Sequence, residues 1–300
     1  MIYTLTVNPS LDYISKIKDF NIGEINRSYE EKIVAGGKGI NVSTILNRLG
    51  MDTIALGFLA GFIGKEIERK VKENQIETDF IYLHQGNSRI NMKIKSNEIE
   101  TEINAGGPLI SKKEIALLFD KIKEMRAGDI LVLAGSIPRS LDTIFYASII
   151  KEIQDKDILV VVDSTDDLLL KTLKFHPFLI KPNKTEIEEI VKKELKSKED
   201  MIEAANYLQQ LGARNVLISL GSNGAILITE SNQVYFEEAK QGMVINSTGA
   251  GDSMVAGFLY GYLIEKSYEA GLKWGVACGS ATTFSLDLAS KEKILEIKSR

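Results

Sequence analysis

Four short apolar runs set narrow bounds on how this chain can fold. They are Asp129-Ile-Leu-Val-Leu-Ala134, Asp157-Ile-Leu-Val-Val-Val-Asp163, Phe178-Leu-Ile-Lys181 and Asn215-Val-Leu-Ile-Ser219. A strand with one wet face alternates apolar and polar residues, whereas a continuous apolar run suits a strand buried on both faces of a parallel sheet. Amphipathic helical patterns at 111–125, 141–155, 184–193 and 199–211 lie among the runs. The succession predicts an α/β fold: a doubly wound, mostly parallel sheet flanked by helices. Gly135-Ser136, Asp163-Ser164, Pro182-Asn183 and Leu220-Gly221 follow the four runs. They put small or polar groups at the carboxyl edge of the sheet, where open α/β sheets bind ligands, although turns by themselves favour the same residues.

A second periodicity has a different meaning. Arg89-Ile-Asn-Met-Lys-Ile-Lys95 and Glu98-Ile-Glu-Thr-Glu-Ile-Asn104 alternate strictly across Ser96-Asn97, and Tyr13 to Val34 holds a similar strand-like reach. Such alternation predicts half-exposed strands outside the main sheet. Together they are expected to form a small β-sheet lid, inserted as segments about 13–34 and 88–105 into one domain spanning 1–300. With 300 residues, 44% hydrophobic and 26% charged, the chain can bury one large core with such an appendage.

The net charge of -4 gives no general attraction to nucleic acid or to an anionic membrane, so an anionic ligand has to be held by local basic groups. No apolar run reaches the ~20 residues that span a bilayer, and the first residues lack a basic n-region, so a cytoplasmic protein is expected. Cys278 has no cysteine partner and sits in an apolar helical stretch, where a core role is expected. His84 and His176 are far apart and show no metal-ligand spacing.

Four constellations could carry chemistry. Ser247-Thr-Gly-Ala-Gly-Asp-Ser253 precedes an apolar run to Ile264, so glycines would turn the backbone into a buried helix whose first N-H groups attract phosphate oxygens. Asp252 is either a carboxylate favoured by the helix dipole or a proton acceptor beside an anion site. Lys181-Pro-Asn183-Lys-Thr-Glu186 is either a helix N-cap with its reciprocal glutamate or a pair that organises magnesium and phosphates. Ser219-Leu-Gly-Ser-Asn-Gly224 could accept a nucleotide or turn a hairpin into Ala225 to Ile228. Ala35-Gly-Gly-Lys-Gly-Ile-Asn41 places three glycines around one lysine, an anion site or a plain turn. Lys38 and Arg89, with Arg27 as a third candidate, would supply the local basic pocket. No Walker A loop and no dinucleotide fingerprint occurs in the chain.

Taken together, Asn8-Pro-Ser-Leu-Asp12, Gly36-Gly-Lys-Gly-Ile-Asn41, Lys181-Pro-Asn183 with Glu186, and Gly249-Ala-Gly-Asp252 resemble the ribokinase-like, PfkB-type family of carbohydrate kinases across nearly the whole chain. The resemblance implies ATP-dependent phosphorylation of a sugar. It makes Asp252 the base, and the amides of Gly249, Ala250, Gly251 and Asp252 the anion hole. Lys181, Asn183, Ser219, Gly221, Gly224 and Gly251 would contact ATP, and Asn183 with Glu186 would hold Mg2+ through water. Asp12, Gly37, Asn41 and Asn91 would bind the sugar, and Lys38 with Arg89 the phosphate already on it. Ser88-Arg-Ile-Asn91 and Thr101-Glu-Ile-Asn104 look most like the members that act on fructose 1-phosphate, with tagatose 6-phosphate as the alternative. A non-catalytic sugar-phosphate or nucleotide sensor is the reading from another class. A homodimer joined through the lid is the expected assembly, with no nucleic-acid or membrane partner.

Overall fold

A computed structural model describes residues 1–96 and 99–300. In chain order the strands are β1 (Ile2–Thr6), β2 (Ser10–Ile17), β3 (Ser28–Gly36), β4 (Thr53–Ala60), β5 (Glu77–Thr78), β6 (Ile81–Leu83), β7 (Arg89–Ser96), β8 (Ile99–Ile103), β9 (Ile130–Ala134), β10 (Leu159–Asp163), β11 (Leu179–Ile180), β12 (Asn215–Ser219), β13 (Ala225–Ile228) and β14 (Val234–Glu237). The α-helices are α1 (Lys38–Arg48), α2 (Gly61–Glu73), α3 (Lys112–Lys123), α4 (Phe145–Ile153), α5 (Asp166–Leu170), α6 (Lys184–Val191), α7 (Lys198–Gln210), α8 (Ala250–Glu265), α9 (Tyr268–Thr283) and α10 (Lys291–Lys298).

The four apolar runs become β9, β10, β11 and β12, which lie side by side and parallel in the main sheet, ordered β14-β13-β12-β11-β10-β9-β1-β4-β5 with β6 also on β4. Only β13 runs opposite to the rest, so its pairings with β12 and β14 are antiparallel. Alternate side chains of each strand enter opposite cores, as a doubly wound sheet requires. Leu131 and Leu133 of β9 pack with α3, α4, α6 and α7 on one face, while Ile130, Val132 and Ala134 pack with α1, α8 and α9 on the other.

Two central strands, β1 and β4, are missing from the apolar runs. β1 buries Thr4 and Thr6 in the middle of the protein. Their hydroxyls are satisfied by α1, Thr4 through Ser43 Oγ at 2.7 Å and Thr6 by accepting from the Ile40 amide at 3.1 Å. Polar side chains that are hydrogen-bonded inside break the hydropathy signal without breaking the strand. Helix α4 also starts later than the pattern at 141–155 suggests, because Asp142 turns the backbone and accepts from the Ile144 amide at 2.9 Å.

The alternating segments form a separate sheet, ordered β3-β2-β7-β8. β2 and β7 pair in parallel at its centre, and the β2–β3 and β7–β8 pairs are antiparallel. Of the turn expected at Ser96-Asn97, Ser96 ends β7, and Asn97, with Glu98 of the next expected strand, lies outside the described residues. Beyond Asp252 and Ser253 in its first turn, the mostly apolar α8 is buried through Leu259, with Cys278 of α9 in the same core. No helix among the described residues is long and apolar enough to cross a membrane.

Candidate active site

The crossover from β1 through α1 to β4 and the crossover from β9 through α4 to β10 leave on opposite faces, so a crevice opens beyond the carboxyl ends of β1 and β9. A cavity of about 920 Å³ occupies it, walled on its far side by the small sheet. Thr6, Gly135, Ser164, Lys181 and Ser219 supply the strand ends.

Two glycines bring α1 close to this edge. A Cβ on Gly36 would stand 2.5 Å from Ser10 Oγ and 2.6 Å from Asp12 Oδ1, and one on Gly37 would stand 2.5 Å from Thr6 Cγ2. Gly37 also has φ of +139°, outside the range that side chains favour. The next residue, Lys38, thereby reaches Asp163, donating to its Oδ1 at 3.0 Å. Lys181 approaches the same oxygen at 3.5 Å. Asp163 is only 1% exposed beneath the cavity floor. Burial opposes its charge, yet Lys181 and Lys38 overcome that and hold its carboxyl below the usual range. Lys38 feels the reciprocal field: burial works against its charge, and Asp163 and then Asp252 raise its affinity for the proton above that of an ordinary lysine.

Asp252 sits at the third position of α8, whose N-cap Gly249 has φ of +79° and offers no side-chain cap. The first turn is therefore open to a ligand. A Cβ on Gly251 would lie 3.3 Å from Lys181 Nζ, so that ammonium rests beside the turn. Asn41 of α1 donates to Asp252 Oδ2 at 2.7 Å. Burial, and after it the negative charge of Asp163, push Asp252 up to about 6 against the pull of Lys38, Asn41 and Lys181. A proton acceptor tuned to near-neutral pH thus stands between two ammonium groups and a helix N-terminus.

Asn183 and Glu186 form a capping box: Asn183 Oδ1 accepts from the Glu186 amide and Glu186 Oε2 from the Asn183 amide, both at 2.8 Å. The structural reading of this pair is therefore realised, while both residues also line the cavity and Glu186 Oε1 takes no part in the cap. No cluster of three His, Cys, Asp or Glu suited to a metal occurs among the described residues. Asp163 Oδ2 and the Ser164 hydroxyl are buried without a hydrogen-bond partner, polar capacity that suits a charged ligand here. The donor set fits a hydrated cation carried in on a phosphate rather than a closed all-protein metal cage.

The small sheet supplies the opposite wall. Its register sets Asp12 directly beside Asn91 and Ser10 beside Arg89. Asp12 Oδ1 accepts from Ser10 Oγ at 2.6 Å and from Asn91 Nδ2 at 3.0 Å. Arg89 donates to the Asn8 carbonyl at 3.0 Å and the Ala105 carbonyl at 3.3 Å. Burial alone opposes its charge; Asp12 favours it, and the net effect is a guanidinium that holds its proton less tightly than usual.

Of the residues singled out in the sequence, Asp12, Gly37, Lys38, Asn41, Arg89, Asn91, Lys181, Asn183, Glu186, Ser219, Gly249, Gly251 and Asp252 all line this one cavity. Gly221 and Gly224 do not; they turn the β12–β13 hairpin, where a Cβ on Gly224 would meet the Glu237 carbonyl at 2.0 Å. Ala250 is off the lining, and Arg27 is exposed away from it. Lys38 and Arg89 engage different groups, one at Asp163 and the other at Asn8 and Ala105. Asp163, expected only as one of the polar groups at the carboxyl edge of the sheet, is the buried partner of both lysines. Its signal was a carboxylate closing an otherwise apolar run.

Residues 9–293 match the pfkB family carbohydrate kinase profile. The chain is 41% identical over 297 residues to a 1-phosphofructokinase of Bacillus subtilis, covering 99% of this chain and 97% of that one. It is 35% identical over 295 residues to a D-tagatose-1-phosphate kinase of Bacillus licheniformis, covering 98% and 96%. Phosphofructokinase-2 of Escherichia coli, solved in complex with fructose-6-phosphate, superposes with a TM-score of 0.92 at 28% identity over 99% of this chain and 98% of that one. The fold is ribokinase-like, a mostly parallel sheet with a separate small sheet across its carboxyl edge. The chain belongs to the pfkB family of carbohydrate kinases, enzymes that transfer a phosphoryl group from ATP to a sugar.

Proposed function

We propose that this enzyme phosphorylates fructose 1-phosphate to fructose 1,6-bisphosphate. The observation that carries the reading is Asp252, buried, pushed up to about 6 and held by Asn41 at the open N-terminus of α8. Asp252 accepts the proton of the C6 hydroxyl as that oxygen attacks the γ-phosphate. A loose phosphoryl-transfer transition state demands little proton removal beforehand, so a base of this strength suffices. Lys38 and Lys181, fixed by Asp163, and the N-H groups of Gly249 and Gly251 are aimed at the oxygens that gain charge; the Ala250 amide is engaged by the Ser247 carbonyl at 3.2 Å. This assigns Lys38 to the transferring group and leaves Arg89, on the small sheet, for the phosphate already present. Asp12 and Asn91 take sugar hydroxyls. Asn183 and Glu186 would hold Mg2+ through water, and the ion when bound neutralises phosphate charge. The small sheet acts as a lid that keeps water from the phosphoryl group.

The B. subtilis relative supports fructose 1-phosphate, and the B. licheniformis relative favours D-tagatose 1-phosphate as a second reading. ADP release measured against fructose 1-phosphate, tagatose 1-phosphate, tagatose 6-phosphate, fructose 6-phosphate, ribose and adenosine tests the choice. Fructose 1-phosphate should give the highest kcat/KM, and equal or better activity on another acceptor overturns the assignment. The enzyme works in the cytoplasm, where ATP and sugar phosphates are found. The exposed Ile22, Ile25 and Tyr29 beside the small sheet support a homodimer joined there, which light scattering would refute by returning a monomer mass.

A further inference from the structure

The cavity face of β7 carries a residue that the assignments above leave unused. Lys93 is 7% exposed, on the same wall as Asp12 and Asn91. Its Nζ lies 3.5 Å from Asp12 Oδ2 and 3.3 Å from Glu102 Oε1. The first carboxylate comes from β2 on one side, and the second from β8, where Glu102 stands opposite Lys93 in the ladder. An ammonium this deep must be compensated, since desolvating it unpaired costs several kcal/mol. Yet charge-assisted N-H to carboxylate bonds normally close to about 2.7–2.9 Å. Both contacts are longer, and an ammonium has three donors, so Lys93 keeps a donor for a third oxygen.

Asp12 presents the complementary half. Its Oδ1 is filled by Ser10 and Asn91, which leaves Oδ2, the oxygen next to Lys93, to accept from a ligand. A carboxylate acceptor and an ammonium donor therefore stand side by side on the sugar-facing wall. Adjacent hydroxyls match that arrangement, one donating to Asp12 and the oxygen of the same or the next accepting from Lys93.

We infer that Lys93 is a specificity-determining residue of the acceptor site, paired with Asp12 to read the configuration of adjacent hydroxyls on the ketohexose phosphate. The inference rests on the acceptor lying under the small sheet, as proposed above. Fructose and tagatose 1-phosphates differ only in the configuration at C4, so they present the pair with different geometry. A site built to hydrogen-bond hydroxyls discriminates far better than an apolar pocket, because its buried polar groups are otherwise left unpaired.

The competing role is a staple that merely ties β8 and β2 to β7. Lys93→Met, with similar length and no charge, is compared with Glu102→Gln, which weakens the staple and keeps the ammonium beside Asp12. Steady-state kinetics on both ketohexose 1-phosphates, with KM for ATP and the melting temperature recorded alongside, separate the two. Lys93→Met should raise the sugar KM about 10- to 100-fold, shift the preference between the epimers by about threefold or more, and leave KM for ATP within about twofold. Glu102→Gln should leave the sugar KM and the epimer preference near wild type. A wild type active on either sugar whose Lys93→Met variant keeps the same KM and preference overturns the inference alone. So does a Glu102→Gln variant that reproduces the whole loss. A wild type inactive on both sugars overturns the substrate reading and this assignment with it.

Discussion

Replacing Asp252 by asparagine should make the protein more stable and nearly inactive, and the size of the first effect follows from the geometry. Burial and the neighbouring Asp163 raise this carboxyl from its ordinary 3.8 to about 6. An acid whose folded-state pKa lies above its unfolded one favours the fold when protonated. That contribution is full below 3.8, fades as pH rises toward about 6, and is gone above it. At 1.36 kcal/mol per pH unit, the ionised carboxylate costs the native state about 3 kcal/mol at pH 8. Asparagine matches the protonated form in shape and can still accept from Asn41, so Asp252→Asn should recover on the order of that amount at pH 8 and almost none at pH 4. For 300 residues this is roughly 5 °C in melting temperature. Urea unfolding at the two pH values reads the difference directly. Turnover should fall by about 10²-fold or more, and the wild-type rate should rise with pH through about 6 as the base ionises. A variant destabilised equally at both pH values, or one with normal turnover, would refute the reasoning.

Two further substitutions probe the groups around that carboxylate. Asp163→Asn strips Lys38 and Lys181 of their shared partner, so stability at neutral pH should drop by about 3–5 kcal/mol. Because Asp163 is also the second cause of the raised Asp252 pKa, the acid limb of its rate profile should move below that of the wild type, and an unmoved limb would remove Asp163 from that role. Gly249→Ala puts a side chain at φ of +79° and 2.6 Å from Leu288 Cδ2. The backbone alone then costs about 1–2 kcal/mol, and loss of turnover should accompany the fall in melting temperature; wild-type values of both would contradict the tight-turn account.

Legibility in the sequence followed the strength of each local signal. β9, β10 and β12 were visible because strands shielded on both faces need unbroken apolar runs. β1 escaped, although it lies at the centre of the sheet, because Thr4 and Thr6 are satisfied by α1, a neighbour that no local window contains. The small sheet was visible from its alternation, but the parallel pairing of β2 with β7 was not, since it joins segments about 79 residues apart. In the site, glycine-rich turns and capping signatures marked α1, α6 and α8. They could not say which glycines face the cavity, and Gly221 and Gly224 turned out to serve the hairpin.

Local residue patterns thus specify the class of fold, the positions of the chemically competent turns and the kind of chemistry they suit. Periodicity and backbone geometry are local properties, written into a few consecutive residues. The sharing of charge was left to the packing of segments distant in the chain. That packing set Lys38 and Lys181 on one buried carboxylate, placed Asp252 in their field, and left Lys93 between Asp12 and Glu102. Electrostatic energies depend on distance and burial, and both are fixed only when strands far apart in the chain come together at one edge of the sheet.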